Sequence, residues 1–283
     1  MRPKNLNTKI FLDSGDPKET RTALVSLGFL DGQTTNPSLI AKNPQTAGRK
    51  YSKQELLDFY REVVKDVSSL IPTSSVSVEV YADESTTAED MLAQAKEYYA
   101  WIPNAHIKFP TTRGGLKAAE MSVKEGMRVN MTLVFTQEQA AGVYAATRGA
   151  KKGQVFVSPF VGRLEDVGER GMDLIKNILQ MYKNGDGHVE VLAASVRSKE
   201  HIEEALALGV DILTAPLKTL IEAKSQITNF TIQKSGSFLN PSLQPISYKN
   251  MDLNKPWQEY DIRHELTDKG LKKFASDWNS LIQ

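Results

Sequence analysis

The feature that most limits what this chain can fold into is an alternation, repeated eight times, of a short β-branched run and a longer amphipathic segment. The short runs fall at 9–13, 32–35, 76–82, 106–109, 128–135, 154–158, 189–194 and 211–214. Helical periodicity occupies 18–27, 53–70, 88–100, 115–125, 137–148, 167–182, 199–208 and 217–224. A helix between two strands carries the chain back to the start of the next, so the repeats predict a parallel sheet. Eight is also the number of such strands that closes a barrel, and 283 residues are enough for one. The expected fold is an α/β, (β/α)8 TIM barrel, a single domain over 1–283.

Two stretches depart from the alternation. Residues 43–51 read as a loop feeding an extra helix before the third strand. Residues 225–266 are rich in Ser, Asn, Gln and Pro without a period, and predict an extended irregular excursion. A C-terminal helix is expected at 268–282, with Thr267-Asp268-Lys269-Gly270 as its N-terminal signal. Its Leu271, Phe274, Trp278 and Leu281 recur at helical spacing, and are expected to pack on the chain's own barrel.

In a parallel barrel the functional end is where the strands finish, and inward side chains recur every second residue. With Ile10 and Leu12 facing the helices, Phe11 and Asp13 point inward. The second strand runs into Thr34-Thr35-Asn36-Pro37. Valines 76, 78 and 80 face out, which turns Ser77, Glu79 and Tyr81 in. The fourth strand then directs His106 and Lys108 inward, the fifth Asn130 and Thr132, and the sixth Ser158 and Phe160, with Arg163 in the following loop. The seventh places Ser195 and Arg197 at the same level. Singly, each has an ordinary explanation: a strand-end lysine is usually solvated, and a Glu among valines is usually the wet side of an edge strand. Together they are a ring of charges inside a barrel, where desolvation is costly unless the charges are paired or used.

Composition narrows the chemistry of that ring. There is no cysteine, which removes disulfides, thiolate metal sites and cysteine nucleophiles. The four histidines are scattered, so no metal site is expected and a metal-dependent aldolase lacks its ligands. A formal charge of +1 gives no reason to expect nucleic acid as partner, and no run of about 18 apolar residues predicts a membrane span. The lack of cysteine and of an apolar signal segment in residues 1–7 point to a cytoplasmic location. What remains is an inward lysine, whose neutral amine can capture a carbonyl as an imine. Asp13 and Glu79 are the acid/base groups at hand, and Thr132 can hold a water. Arg163 and Arg197 suit an oxyanion such as phosphate, with Ser195 adding a hydroxyl.

Several of these segments resemble the transaldolase family. They are Ile10-Phe11-Leu12-Asp13, Thr34-Thr35-Asn36-Pro37-Ser38, His106-Ile107-Lys108-Phe109-Pro110, Val129-Asn130-Met131-Thr132-Leu133, Ser158-Pro159-Phe160-Val161-Gly162-Arg163 and Ala194-Ser195-Val196-Arg197. The resemblance implies no cofactor, sugar-phosphate substrates, a homo-oligomer and a place in the non-oxidative pentose phosphate pathway. It also implies transfer of a dihydroxyacetone unit from a ketose phosphate (sedoheptulose 7-phosphate or fructose 6-phosphate) to an aldose phosphate (glyceraldehyde 3-phosphate or erythrose 4-phosphate). By motif, Lys108 would form the Schiff base, Asp13 would take the hydroxyl proton on cleavage, and Glu79 and Thr132 would manage the catalytic water. Thr35, Asn36, Asn130, Ser158 and Phe160 would bind the sugar, and Arg163, Ser195 and Arg197 the phosphate. Fructose-6-phosphate aldolases, in the same fold group, commonly carry Gln in place of Glu79 and Tyr in place of Phe160. Such an aldolase, or a transaldolase for another anionic sugar such as a sulfonated one, is the alternative.

Overall fold

A computed structural model describes residues 2–230 and 242–283. Among them eight parallel strands hydrogen-bond in sequence order: β1 (Lys9–Asp13), β2 (Gly32–Thr34), β3 (Ser75–Glu79), β4 (Ala105–Pro110), β5 (Val129–Val134), β6 (Val155–Pro159), β7 (Val189–Ala193) and β8 (Ile212–Ala215). β8 pairs with β1 and closes the ring, so the molecule is the expected (β/α)8 barrel. Ile10, Leu12, Val76, Val78, Ile107 and Phe109 are fully buried on the outer face of the strands, under the helices. The opposite phase fills the interior. Phe11 of β1 meets Phe156 of β6 edge-on, with ring centres 6.0 Å apart. Gly32 permits this, because a Cβ there would lie 2.4 Å from the Phe11 ring.

Local chemistry explains where the helices begin. Ser52 with Glu55, Thr87 with Asp90, and Thr136 with Gln139 form reciprocal caps that satisfy the first free N–H groups of three helices. Between β2 and β3 the chain makes a short helix Pro37–Ala41, a 3-10 turn Pro44–Thr46 and the long helix Lys53–Leu70. The expected loop at 43–51 thus contains a turn, and the additional helix lies just before it.

The excursion is ordered where it is described. It holds the helix Lys224–Thr228 and a 3-10 turn Trp257–Glu259, and otherwise runs as a strap across the outer helices. Their side chains satisfy its backbone. Asn177 donates to the Ile246 carbonyl (2.9 Å), Gln137 bonds the Lys249 backbone both ways (2.7 and 3.1 Å), and Gln139 donates to the Ile262 carbonyl (3.1 Å). A strap held by other elements needs no periodicity of its own, so none is visible in its sequence. The part of the excursion at 231–241 lies outside the described residues.

The last helix spans Glu265–Asn279, starting earlier than expected because His264 is its cap: Nδ1 accepts from the Leu266 N–H (3.2 Å). Thr267 does something else. Its hydroxyl donates to the Leu133 carbonyl of β5 (2.9 Å) and accepts from Gln139 (2.8 Å), which fastens the helix over the strand ends. Leu271, Phe274, Trp278 and Leu281 are buried there, as expected. Gly270 sets the closeness of the crossing, since a Cβ would meet Leu133 at 2.5 Å and Arg163 Nη1 at 2.6 Å.

Candidate active site

At the C-terminal ends of the strands a cavity of about 230 Å³ opens between the barrel and the last helix. Lys108 projects into it from β4. In the strand register Lys108 stands beside Glu79 of β3 and Asn130 of β5, so all three share the inward face. The lysine Nζ donates to the Thr35 carbonyl (2.9 Å). Glu79 Oε2 lies 2.8 Å from the same nitrogen, as a charge contact off the hydrogen-bonding direction, and both side chains are about 95% buried or more. Burial pushes the Glu79 carboxyl above its ordinary pKa, against the opposing pull of Lys108.

Asp13 closes the other side. Its Oδ1 accepts from the Thr34 hydroxyl (2.6 Å). Thr34 thereby spends its only hydrogen, so Thr214 of β8 must be the donor in the 2.7 Å contact between the two threonines. Burial raises the Asp13 pKa, again with Lys108 pulling the other way. Thr132 Oγ1 is buried with no hydrogen-bond partner among the described residues, which leaves it available to a substrate or a water. An amine beside one buried and one half-buried carboxyl, with an uncommitted hydroxyl nearby, can add to a carbonyl and move the protons that the addition requires.

The far end of the cavity is basic. The Arg163 guanidinium sits between the rings of Phe160 (5.0 Å) and Phe274 (5.2 Å), and burial lowers its pKa from the ordinary value. Arg197 is about half exposed, and its two terminal nitrogens donate to Asp166 (2.6 and 2.8 Å). That fork holds the Asp166 carboxyl below its usual range. Ser195, in the cavity lining, has φ 56°, a left-handed conformation that is uncommon for serine.

The chain is similar to known proteins over nearly its whole length. Residues 10–283 match the family described as Transaldolase/Fructose-6-phosphate aldolase. A protein of Dehalococcoides mccartyi named "Probable transaldolase" is 34% identical over 273 residues, covering 96% of this chain and 99% of its own. One of Brucella ovis with the same name is 37% identical over 270 residues, covering 95% and 96%. The chain belongs to the transaldolase/fructose-6-phosphate aldolase family. A crystal structure of a "putative dehydratase" from Mesorhizobium loti superposes with a TM-score of 0.50 at 12% identity, over 79% of this chain and 58% of that one; the likeness is one of fold alone.

Nine of the residues expected from the sequence line the cavity together: Asp13, Asn36, Lys108, Thr132, Ser158, Phe160, Arg163, Ser195 and Arg197. Three stand behind its wall. Glu79 is buried against Lys108, while Asn130 donates to Ser77 (3.1 Å) and accepts from Ser158 (2.6 Å). The Thr35 side chain faces away, bonded to Tyr60 and to the Ser77 carbonyl, and only its backbone oxygen reaches the lysine. Two placements differ from expectation. β3 ends at Glu79, so Tyr81 lies past it, half-buried and donating to Asp83 (3.0 Å). Arg163 sits in a short helix, Val161–Glu165, not in a loop.

The cavity also takes residues that strand phase missed. Thr214, one residue before the end of β8, points inward and was legible by the same rule, as was Thr34. Lys42, Lys273, Phe274 and Asp277 were not, because three come from the last helix and one from the loop after β2. Asp277 accepts from Ser38 and from Lys273, tying that helix to the β2 loop. Among the described residues, no helix is long and apolar enough to cross a membrane.

Proposed function

We propose that the chain is a transaldolase working through a Schiff base on Lys108. The observation that carries the reading is the placement of Lys108 Nζ, buried within 2.8 Å of Glu79 and 2.9 Å of the Thr35 carbonyl at the wall of a cavity whose far end is lined by Arg163 and Arg197. A ketose phosphate lying in the cavity would place its carbonyl at the lysine and its phosphate at the arginines. The neutral amine adds to the carbonyl carbon, and departure of the hydroxyl as water, with the proton supplied from Glu79, gives the positively charged imine. Asp13 then takes the proton from the C4 hydroxyl as the C3–C4 bond breaks. The bond's electron pair moves into the imine, leaving an enamine on Lys108 and a free aldose phosphate. An incoming aldose phosphate is attacked by the enamine in the reverse sequence. Glu79 and Thr132 hold the water that is lost and regained.

The fate of the enamine distinguishes transfer from simple cleavage. Phe160 lines the cavity and has no hydroxyl with which to protonate it, which favours keeping the unit for an acceptor over releasing dihydroxyacetone. The test is to incubate with fructose 6-phosphate, reduce with borohydride and map the adduct. The expected site is Lys108; an adduct elsewhere, or none, overturns the reading. Erythrose 4-phosphate should then raise turnover sharply, whereas release of dihydroxyacetone without an acceptor would identify an aldolase. A homo-oligomer is expected on family grounds, and a monomeric mass in solution would contradict it.

A further inference from the structure

Tyr60 lies on the helix Lys53–Leu70, outside the barrel wall and away from the cavity. It is 1% exposed, with its ring against Trp278 (5.8 Å), Trp101 (5.9 Å) and Tyr98 (6.2 Å). Its hydroxyl accepts from the Glu79 N–H (2.9 Å) and contacts Thr35 Oγ1 (2.7 Å). Thr35 Oγ1 donates to the Ser77 carbonyl (2.8 Å), so its single hydrogen is spent and Tyr60 must be the donor to it. The hydrogen bonds therefore run one way: Glu79 N–H to Tyr60, Tyr60 to Thr35, Thr35 to Ser77.

The chain of bonds replaces one rung of the sheet. Thr35 N donates to the Ser77 carbonyl (3.1 Å), as a parallel ladder requires. The next rung would take the Glu79 N–H to the Thr35 carbonyl. It is not made: the Glu79 N–H goes to Tyr60, and the Thr35 carbonyl receives Lys108 Nζ (2.9 Å). Buried backbone groups must each find a partner, so the two exchanges depend on each other. We propose that Tyr60 is a positioning residue, which takes the Glu79 N–H and so frees the Thr35 carbonyl to hold the Lys108 amine. This rests on the reading of Lys108 as the nucleophile. Tyr60 touches no substrate in this account. It acts through the strand ends, and the Trp278 contact couples its position to the helix that roofs the site.

Tyr60→Phe keeps the ring contacts and deletes the acceptor. The Glu79 N–H then has the Thr35 carbonyl as the ladder's own acceptor, in competition with Lys108. Single-turnover formation of the borohydride-trapped adduct with fructose 6-phosphate should slow by about 10- to 100-fold. Affinity for glucitol 6-phosphate, which has the phosphate but no carbonyl, should stay within about twofold, a split that general loosening of the fold would not produce. If wild-type protein gives no adduct at Lys108, the functional reading fails and this one with it. If wild type and Tyr60→Phe both give the adduct at equal rates, Tyr60 alone is removed from the account. A parallel loss of glucitol 6-phosphate affinity would equally reduce Tyr60 to a packing residue. Should Tyr60→Phe not fold, as judged by circular dichroism, Thr35→Val and Thr35→Ser carry the test: slow trapping only in the valine variant supports the proposal, and equal rates overturn it.

Discussion

The two ends of the barrel hold similar side chains in opposite conditions. At the end where the strands begin, His106 is 5% exposed, donates from Nε2 to the Gly153 carbonyl (2.9 Å) and accepts at Nδ1 from Ser75 (2.7 Å), with Phe156 stacked 4.1 Å away. Lys9 pairs with Glu190 (2.9 Å), and Arg2 bonds Asp31 and the carbonyls of Leu6 and Thr8. One Glu190 oxygen aside, these groups are committed to protein partners. At the other end Lys108 is shared by Glu79 and a carbonyl, and the Thr132 hydroxyl is uncommitted among the described residues. Polar groups that serve the fold are closed upon themselves, whereas groups that serve chemistry are left with capacity to spare.

The comparison breaks most easily at Lys108. Lys108→Met should abolish both adduct trapping and transfer, and any residual trapped adduct would mean that the uncommitted end is not the reactive one. Next in size, Asp13→Asn should slow cleavage by about 10²–10⁴-fold while trapping persists. The same variant should melt at a higher temperature. Burial raises the Asp13 pKa, so its contribution to stability is present below the unfolded value and lost as pH rises through the folded one. Removing that carboxyl should help the fold at neutral pH; a lower melting temperature would contradict the sign.

His106 carries the opposite sign at the other end. Burial lowers its pKa from 6.5 to about 3, so the native state stays neutral where the unfolded chain takes up a proton. Stability should be full above pH about 6.5 and decline towards pH 3, by on the order of a few kcal/mol. Urea midpoints measured from pH 7 to 4 should flatten in His106→Asn. Lys9→Met should cost about 1–3 kcal/mol, because Glu190 is left buried without its cation, though Lys9 itself is 41% exposed and partly screened. Its kcat should not change; a fall would tie the two ends together. The smallest effect belongs to Phe274→Leu, which removes one face of the Arg163 sandwich and should raise KM for phosphorylated substrates by about 2- to 5-fold, the value of a partly exposed cation–π contact.

The period of two picked out Asp13, Lys108, Thr132 and Ser158 because a short strand buried between a barrel interior and a helix layer has no freedom to change phase. It misled where a strand stops early, as at Tyr81, and where one bends. Leu133 has φ 61° and the β5–β6 register shifts there, so positions beyond it no longer follow the alternation.

The sequence by itself determined the eight strands, their return through helices, and which side chains turn inward, because these depend on neighbours along the chain. Only the tertiary structure decided what each inward group meets. Lys108 finds the carbonyl of a residue 73 positions away. Arg197 forks onto Asp166, and Phe274 covers Arg163 from a helix that an aperiodic strap carries across the barrel. Such partners are set by distances in the fold, and no local pattern encodes them.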